Sequence, residues 1–265
     1  MPVRALRSRN YRLFFGGQLI SLSGTWMQQV ALSWMVYRLT NSVLLLGVVG
    51  FVSQIPGLLF TLFAGVLADR YDRRRMLVIT QALAMLQAGV LAALVLTGTV
   101  KIWHIMVLSA LLGIVHAFDI PIRQSFTVEM IEKREDLGNA IALNSSLFNI
   151  ARLIGPSLAG IIIAVAGEGI CFLLNAASYL AVIVSLLMMN TGRRTRKTRT
   201  THVMEELKDG IKYAAGFGPI RAILLLLATV SLVGVPYQVL MPVFAKDLLQ
   251  GGACTMGSIM AMVGA

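Results

Sequence analysis

The sequence predicts an all-α polytopic membrane protein, and three observations carry that class. The 265 residues are 57% hydrophobic and only 13% charged, about half the ~25% charged share of a soluble domain. Apolar runs recur at lengths that cross a bilayer. The charged residues gather in short connectors between those runs. Mean hydropathy is +0.78. The net charge of +11 does not describe a nucleic-acid surface, because no polar domain interleaves basic and aromatic residues.

The elements follow in order. A bilayer core about 30 Å thick takes about 20 helical residues. The first segment of that length, 13–36, follows an arm carrying Arg4, Arg7, Arg9 and Arg12. It is too long for a signal-peptide core, and no small-residue cleavage site follows it. The second, 43–68, ends in the tract Gly65-Val66-Leu67-Ala68-Asp69-Arg70-Tyr71-Asp72-Arg73-Arg74-Arg75, whose last seven residues include six charges. So dense a cluster between spanning runs forms a short turn at one membrane face. Segments 76–96, 102–126, 140–166, 170–189 and 222–244 complete a set of seven. An eighth begins near Met256 and reaches only ten residues by Ala265. Half a span would leave terminal carbonyls unsatisfied in lipid, so the chain reads as truncated or completed by something else. Cys171 and Cys254 have no metal spacing; two packed free thiols are the plain reading and a disulfide the alternative.

Sidedness follows from Lys and Arg. With the N-terminus inside, nineteen fall on the inner side and three, Arg38, Lys101 and Lys246, on the outer, with Arg152 inside a helix. A multi-pass protein of a bacterial-type cytoplasmic (inner) membrane is expected, its N-terminus cytoplasmic. After the sixth segment, 191–201 is a basic run. Then Val203, Leu207, Ile211 and Tyr213 share a helical face, which fits an amphipathic helix on the membrane surface or a plain linker helix. The chain thus divides into a six-helix bundle (1–190), a basic linker (191–221) and the start of a second bundle (222–265).

The charged tract resembles the signature between the second and third helices of the major facilitator superfamily: Gly65, Asp69, Arg70, Arg73 and Arg74 match it, and Asp72 stands where the signature has a second Gly. Two further stretches are similar to the drug:proton antiporter branch related to the enterobactin exporter. One is Ala117-Phe118-Asp119-Ile120-Pro121-Ile122-Arg123-Gln124. The other is Ala142-Leu143-Asn144-Ser145-Ser146 running into Asn149 to Pro156 and Gly160. The resemblance covers the whole chain. It implies the N-terminal six-helix bundle of the major facilitator fold plus about one and a half helices of the C-terminal half, with the helices needed for function missing. It implies a secondary active efflux transporter, by proton-coupled antiport, that exports an amphiphilic drug or siderophore by alternating access. In such a protein the Asp at position 69 would latch onto a helix of the other half and hold the outward-open state. The tract's plain alternative is a solvated, topogenic turn.

The candidate site residues have physical readings of their own. Gly65 offers close approach to a neighbouring helix. Asp69, placed just past its helix end, can accept backbone N–H bonds or face a helix N-terminus. Arg152 lies thirteen residues past Asn139, about 20 Å along the helix. There a lipid-facing cation costs about 2.5–3.5 kcal/mol or more, so it must face the interior. Asp119, with Arg123 as its rival partner at i+4, is the carboxylate within reach, and Asn149 lies one turn before Arg152. His116, one turn from Asp119, is a relay candidate or a packed helix histidine. Gln18, Thr25, Gln28, Gln29 and Gln54, with Trp26, Trp34 and Phe51 nearby, suggest an amphiphilic cavity or helix–helix hydrogen bonds. Gly155, Pro156 and Gly160 bend and thin the fifth helix.

Other function classes fare worse. No phosphate-binding Gly-Lys tract occurs, so ATP is not the direct drive. No His/Glu metal cluster or nucleophile–base pair points to an enzyme, and no cofactor is implied. The expected partners are a small-molecule substrate, protons and the lipid bilayer, and no nucleic acid. The alternative is a non-transporting fragment or membrane-embedded assembly partner.

Overall fold

The computed structural model describes residues 5–131, 136–189, 212–213, 216–234 and 236–264, and for 62, 66–70, 231–233, 236 and 264 the backbone alone. A single 3-10 turn, Ala5–Arg7, leads into α1 (Arg9–Thr40), α2 (Val43–Arg70), α3 (Arg73–Leu96), α4 (Ile102–Glu129), α5 (Leu137–Ala166) and α6 (Glu168–Met188). Then follow α7 (Gly218–Gly234), α8 (Pro236–Val243), a π turn at Phe244–Leu248 and α9 (Ala253–Gly264). Among the described residues there is no strand, and the all-α polytopic class holds. Among the described residues five helices are long and apolar enough to cross a membrane: 43–61 of α2, and α3, α4, α5 and α6.

The helices overrun the apolar segments because charged ends join them. Arg9 and Arg12 lie inside α1, and Ser8 caps it by accepting from the Tyr11 N–H at 3.5 Å. Asp72 caps α3 by accepting the Arg75 N–H at 2.8 Å; an Asp at an N-cap satisfies a free amide and complements the helix dipole. This gives Asp72, in place of the signature glycine, a definite structural task. The helix α2 runs through Arg70, so Asp69 lies in its last turn, not just past its end. Over the segment expected at 222–244, α7 is described to Gly234 and α8 from Pro236, and Val235 between them lies outside the described residues. The linker helix expected at 203–213 falls outside the described residues except for its last two.

In the bundle α1 packs between α5 and α6, α3 between α4 and α6, and α2 against α4. Polar contacts sort to the two ends. At one end Arg38 makes a two-pronged ion pair with Glu168 (2.7 and 3.2 Å). At the other Arg73 pairs with Glu129 (3.2 Å), Arg74 donates to the Leu187 carbonyl (2.9 Å), and Tyr11 donates to the Ala140 carbonyl (3.0 Å). Between the ends lie apolar cores such as Val30, Met35, Leu91, Ile105 and Phe172. Apolar side chains such as Leu44, Leu58 and Val165 point outward, as a lipid-facing surface requires.

Small residues set the helix spacing on α5. A Cβ at Gly155 would lie 2.5 Å from the Trp26 Cβ and 2.7 Å from the Ser23 carbonyl oxygen, both on α1. One at Gly160 would lie 2.9 Å from the Ala253 carbonyl oxygen and 3.1 Å from the Cys254 Cα, on α9. So α5 is thin on two faces, at Gly155 and at Gly160. Gly65 differs: among the described residues nothing lies within 4 Å of a Cβ there, and the close approach expected at that position is not seen. Cys171 and Cys254 are both free thiols, the first buried and the second exposed.

Replacing Gly155 with Val should lower the apparent Tm of the detergent-solubilised protein, because overpacking costs about 1–3 kcal/mol. Gly89→Ala, where a Cβ meets nothing within 4 Å, should leave Tm unchanged or slightly raised. Equal effects of the two would contradict the close α1–α5 packing.

Candidate functional site

Three polar groupings sit within the apolar bundle. The first surrounds Asp119, which is buried on α4. One carboxylate oxygen accepts from the Thr80 hydroxyl and the Gln81 amide, both at 2.8 Å and both from α3. The other faces the Arg123 guanidinium at 3.6 Å. Arg123 in turn donates to the Gln18 side-chain oxygen on α1 at 3.1 Å. A charge pair in an apolar bundle is tolerable only when its remaining valences are satisfied, and these neighbours supply most of them. Gln18 Nε2 and Gln81 Oε1 are buried beside the cluster without a hydrogen-bond partner among the described residues. His116 is half-buried on the same helix and makes no hydrogen bond to Asp119.

The second grouping is an amide ladder. Asn175 of α6 donates to the Gln28 side-chain oxygen at 2.7 Å. Gln28 of α1 donates to the Gln87 side-chain oxygen on α3 at 3.2 Å. Thr25 and Tyr179 meet alongside at 3.4 Å. This ladder ties three helices together with neutral groups, whose desolvation is offset by mutual hydrogen bonding.

The third lies where the bundle meets α8 and α9. Arg152 donates to the Tyr237 hydroxyl at 3.4 Å, and its guanidinium stands 5.8 Å from the centre of the Trp26 ring. A cleft beside it is lined by Trp26, Arg152, Tyr237, Gln238, Met241 and Met260. It shares Gln238 and Met260 with a larger open cavity of about 110 Å³. Gln29, Ser33, Ser53 and Gln54 line that cavity from α1 and α2. Gln54 is eleven residues into α2, about 16 Å along it and so near the middle of a bilayer core about 30 Å thick. At the Arg38 end, Tyr37 donates to Asp247, and Lys246 donates to Asn41 at 2.6 Å while lying 5.3 Å from the Tyr37 ring centre. These contacts fasten the end of α1 to the π turn.

The expected residues therefore separate. Asp119 pairs with Arg123, not with Arg152: the i+4 spacing on one helix outcompetes reach between helices, and Pro121 does not prevent it. Gln18 and Gln28 serve helix–helix hydrogen bonds and do not line the cavity. Gln29 and Gln54 do line it. Asn149 is exposed, one turn from Arg152, and is not among the residues around either opening. Arg73 and Arg74 bind α4 and α6 at the membrane face. The side chains of Asp69 and Arg70 lie outside the described residues. Sequence reasoning missed Thr80, Gln81, Gln87, Asn175 and Tyr237. The signal was there, since all but Tyr237 are polar groups within apolar runs, as Gln18 and Gln28 are.

A bundle of apolar helices holding a buried ion pair, with an amide-lined cavity at mid-helix depth, defines a polytopic membrane protein of transporter build. A family profile described as transmembrane secretion effector matches residues 2–265, and the chain belongs to that family, within the major facilitator superfamily. The family and its relatives are transporters, not enzymes. The chain is 29% identical over 252 residues to the staphyloferrin A transporter of Staphylococcus aureus, covering 95% of this chain and 63% of that protein. It is 25% identical over 198 residues to the multidrug efflux pump Tap of Mycolicibacterium fortuitum, covering 72% and 48%. It is 20% identical over 248 residues to macrolide efflux protein A of Streptococcus pyogenes, covering 91% and 61%. The chain spans less than two thirds of the length of these relatives.

Asp119→Leu leaves Arg123 without its acid and should destabilise the protein by about 3–5 kcal/mol. Adding Arg123→Leu should recover part of that loss, whereas adding Arg152→Leu should recover none. Thermal unfolding of the three variants in detergent checks this; strictly additive losses for the first pair would break the assignment.

Proposed function

We propose that the chain serves secondary active efflux, with proton-coupled antiport of an amphiphilic small molecule by alternating access. The observation that carries this reading is the open cavity at mid-helix depth between α1–α2 and α8–α9, lined by amides, hydroxyls and apolar side chains. A midplane cavity at the seam between two helix sets is where alternating access needs its site. Mixed polar and apolar walls suit an amphiphile, and the names of the relatives, drug and siderophore transporters, support export.

Proton coupling rests on Asp119. Among the described residues it is a buried carboxylate within a spanning helix, paired with Arg123 and accepting from Thr80 and Gln81. His116 stands one turn away as a second carrier. Asp69, Arg70 and Gly65 match the family's gating signature, and Asp69 acts as the latch of the Arg73 end. The excess of Lys and Arg puts that end, with the N-terminus, on the cytoplasmic side of the bacterial inner membrane. The Tyr37–Asp247 and Asn41–Lys246 contacts then close the outer end.

The test is drug and siderophore accumulation in a bacterial host lacking its own exporters and expressing the gene for this chain. Lower accumulation of a siderophore, a macrolide or a hydrophobic dye is expected, reversed by a protonophore. Accumulation equal to that of the empty host would sink the reading; export indifferent to the protonophore would remove the proton. Asp69→Asn should cut export roughly tenfold, the size of a coupling of about 1.4 kcal/mol between gate and site.

A further inference from the structure

We infer that Arg152 is an anion-binding residue and that the exported amphiphile carries a carboxylate. This rests on the efflux reading and names its substrate class. Arg152 lies fourteen residues before the end of α5 at Ala166, about 21 Å along the helix, and so deep in the membrane. A cation there should carry a permanent counter-charge. Among the described residues it has none. Asp119 is held by Arg123, Glu168 by Arg38, and Glu129 by Arg73. Asp247 takes the Tyr37 hydroxyl, and Asp72 caps α3. Asp136 lies sixteen residues before Arg152 on α5 itself, about 24 Å away.

The partners Arg152 does have are neutral and leave its charge intact. The Trp26 ring lies at 5.8 Å and the Tyr237 hydroxyl at 3.4 Å. A ring face steadies a guanidinium without neutralising it. The planar fork retains donors for a carboxylate, which it binds in two-pronged fashion. The residue borders a cleft of about 10 Å³, room for about one water or one carboxylate oxygen. Its cleft shares Gln238 and Met260 with the amide-lined cavity. A ligand bridging the two would place a carboxylate at Arg152 and Tyr237, and its apolar and neutral polar body against Leu32, Val49, Gln29 and Gln54. One cationic end and an otherwise uncharged wall describe an amphiphilic anion and disfavour a lipophilic cation.

The test uses the full chain purified into lipid nanodiscs, with empty nanodiscs as background. The probes are 11-(dansylamino)undecanoic acid and its methyl ester. The acid should bind about tenfold or more tighter than the ester, the scale of a charge-assisted hydrogen bond. Arg152→Gln should abolish that preference while ester binding persists, which shows that the variant is folded. Arg152→Lys should keep part of it. Equal binding of acid and ester, no saturable binding of either, or an acid preference surviving in Arg152→Gln overturns the inference. In the accumulation assay, export of cationic or neutral amphiphiles without export of acids also overturns it and leaves efflux standing. No export of any compound removes the efflux reading itself.

Discussion

Asp119 and Arg123 form a charge pair inside an apolar bundle, and much of the arrangement around them follows from keeping it there. Neither charge could be held in hydrocarbon alone. The pair draws Thr80 and Gln81 from α3 and Gln18 from α1. These three helices are thereby fixed in relative height, since a one-turn slip would separate donors from acceptors. The pair is thus a register device as well as a charge. The Asn175–Gln28–Gln87 ladder repeats the principle with neutral groups further along α1 and brings in α6. Apolar packing alone would hold the same helices weakly to a register, because lipid tails compete with Leu and Val for one another.

The distribution of the remaining charge has the same logic. Arg38 and Glu168 meet at one end, and Arg73 and Glu129 at the other. Each of these pairs has one largely covered partner, Glu168 or Arg73, and one that water reaches more readily, Arg38 or Glu129. Their effect is to mark where the bundle stops. The middle of the molecule must meet a stricter rule, and Arg152 is the described side chain that meets it without an acid.

The sequence made the helices and their ends legible because charge and apolarity alternate on the scale of a bilayer. Partner choice was much less legible. Asp119, Arg123 and Arg152 were all visible, but distance along a helix does not say which face each side chain occupies, and Arg152 turned toward α8. Gln18 and Gln29 look alike in sequence. They are eleven residues apart, about three turns, but the first is buried against α4 and the second faces the cavity. Small differences in helix rotation decide such assignments, and packing sets that rotation.

The thinness of α5 connects packing to site. Gly155 admits Ser23 and Trp26 of α1, and Gly160 admits Ala253 and Cys254 of α9. With bulky residues at those positions α5 would stand off from both, and Trp26 would be displaced from Gly155. Arg152 lies three residues before Gly155, about one turn, on the stretch that Trp26 covers. The contact that lets α1 touch the α5 backbone therefore also sets the indole beside the guanidinium. On the other flank the approach of α9 brings Met260 to the wall shared by cleft and cavity. The glycines of the Gly155–Pro156–Gly160 element act as a spacer: they set how closely two helix sets meet, and so what size and polarity of opening remains between them.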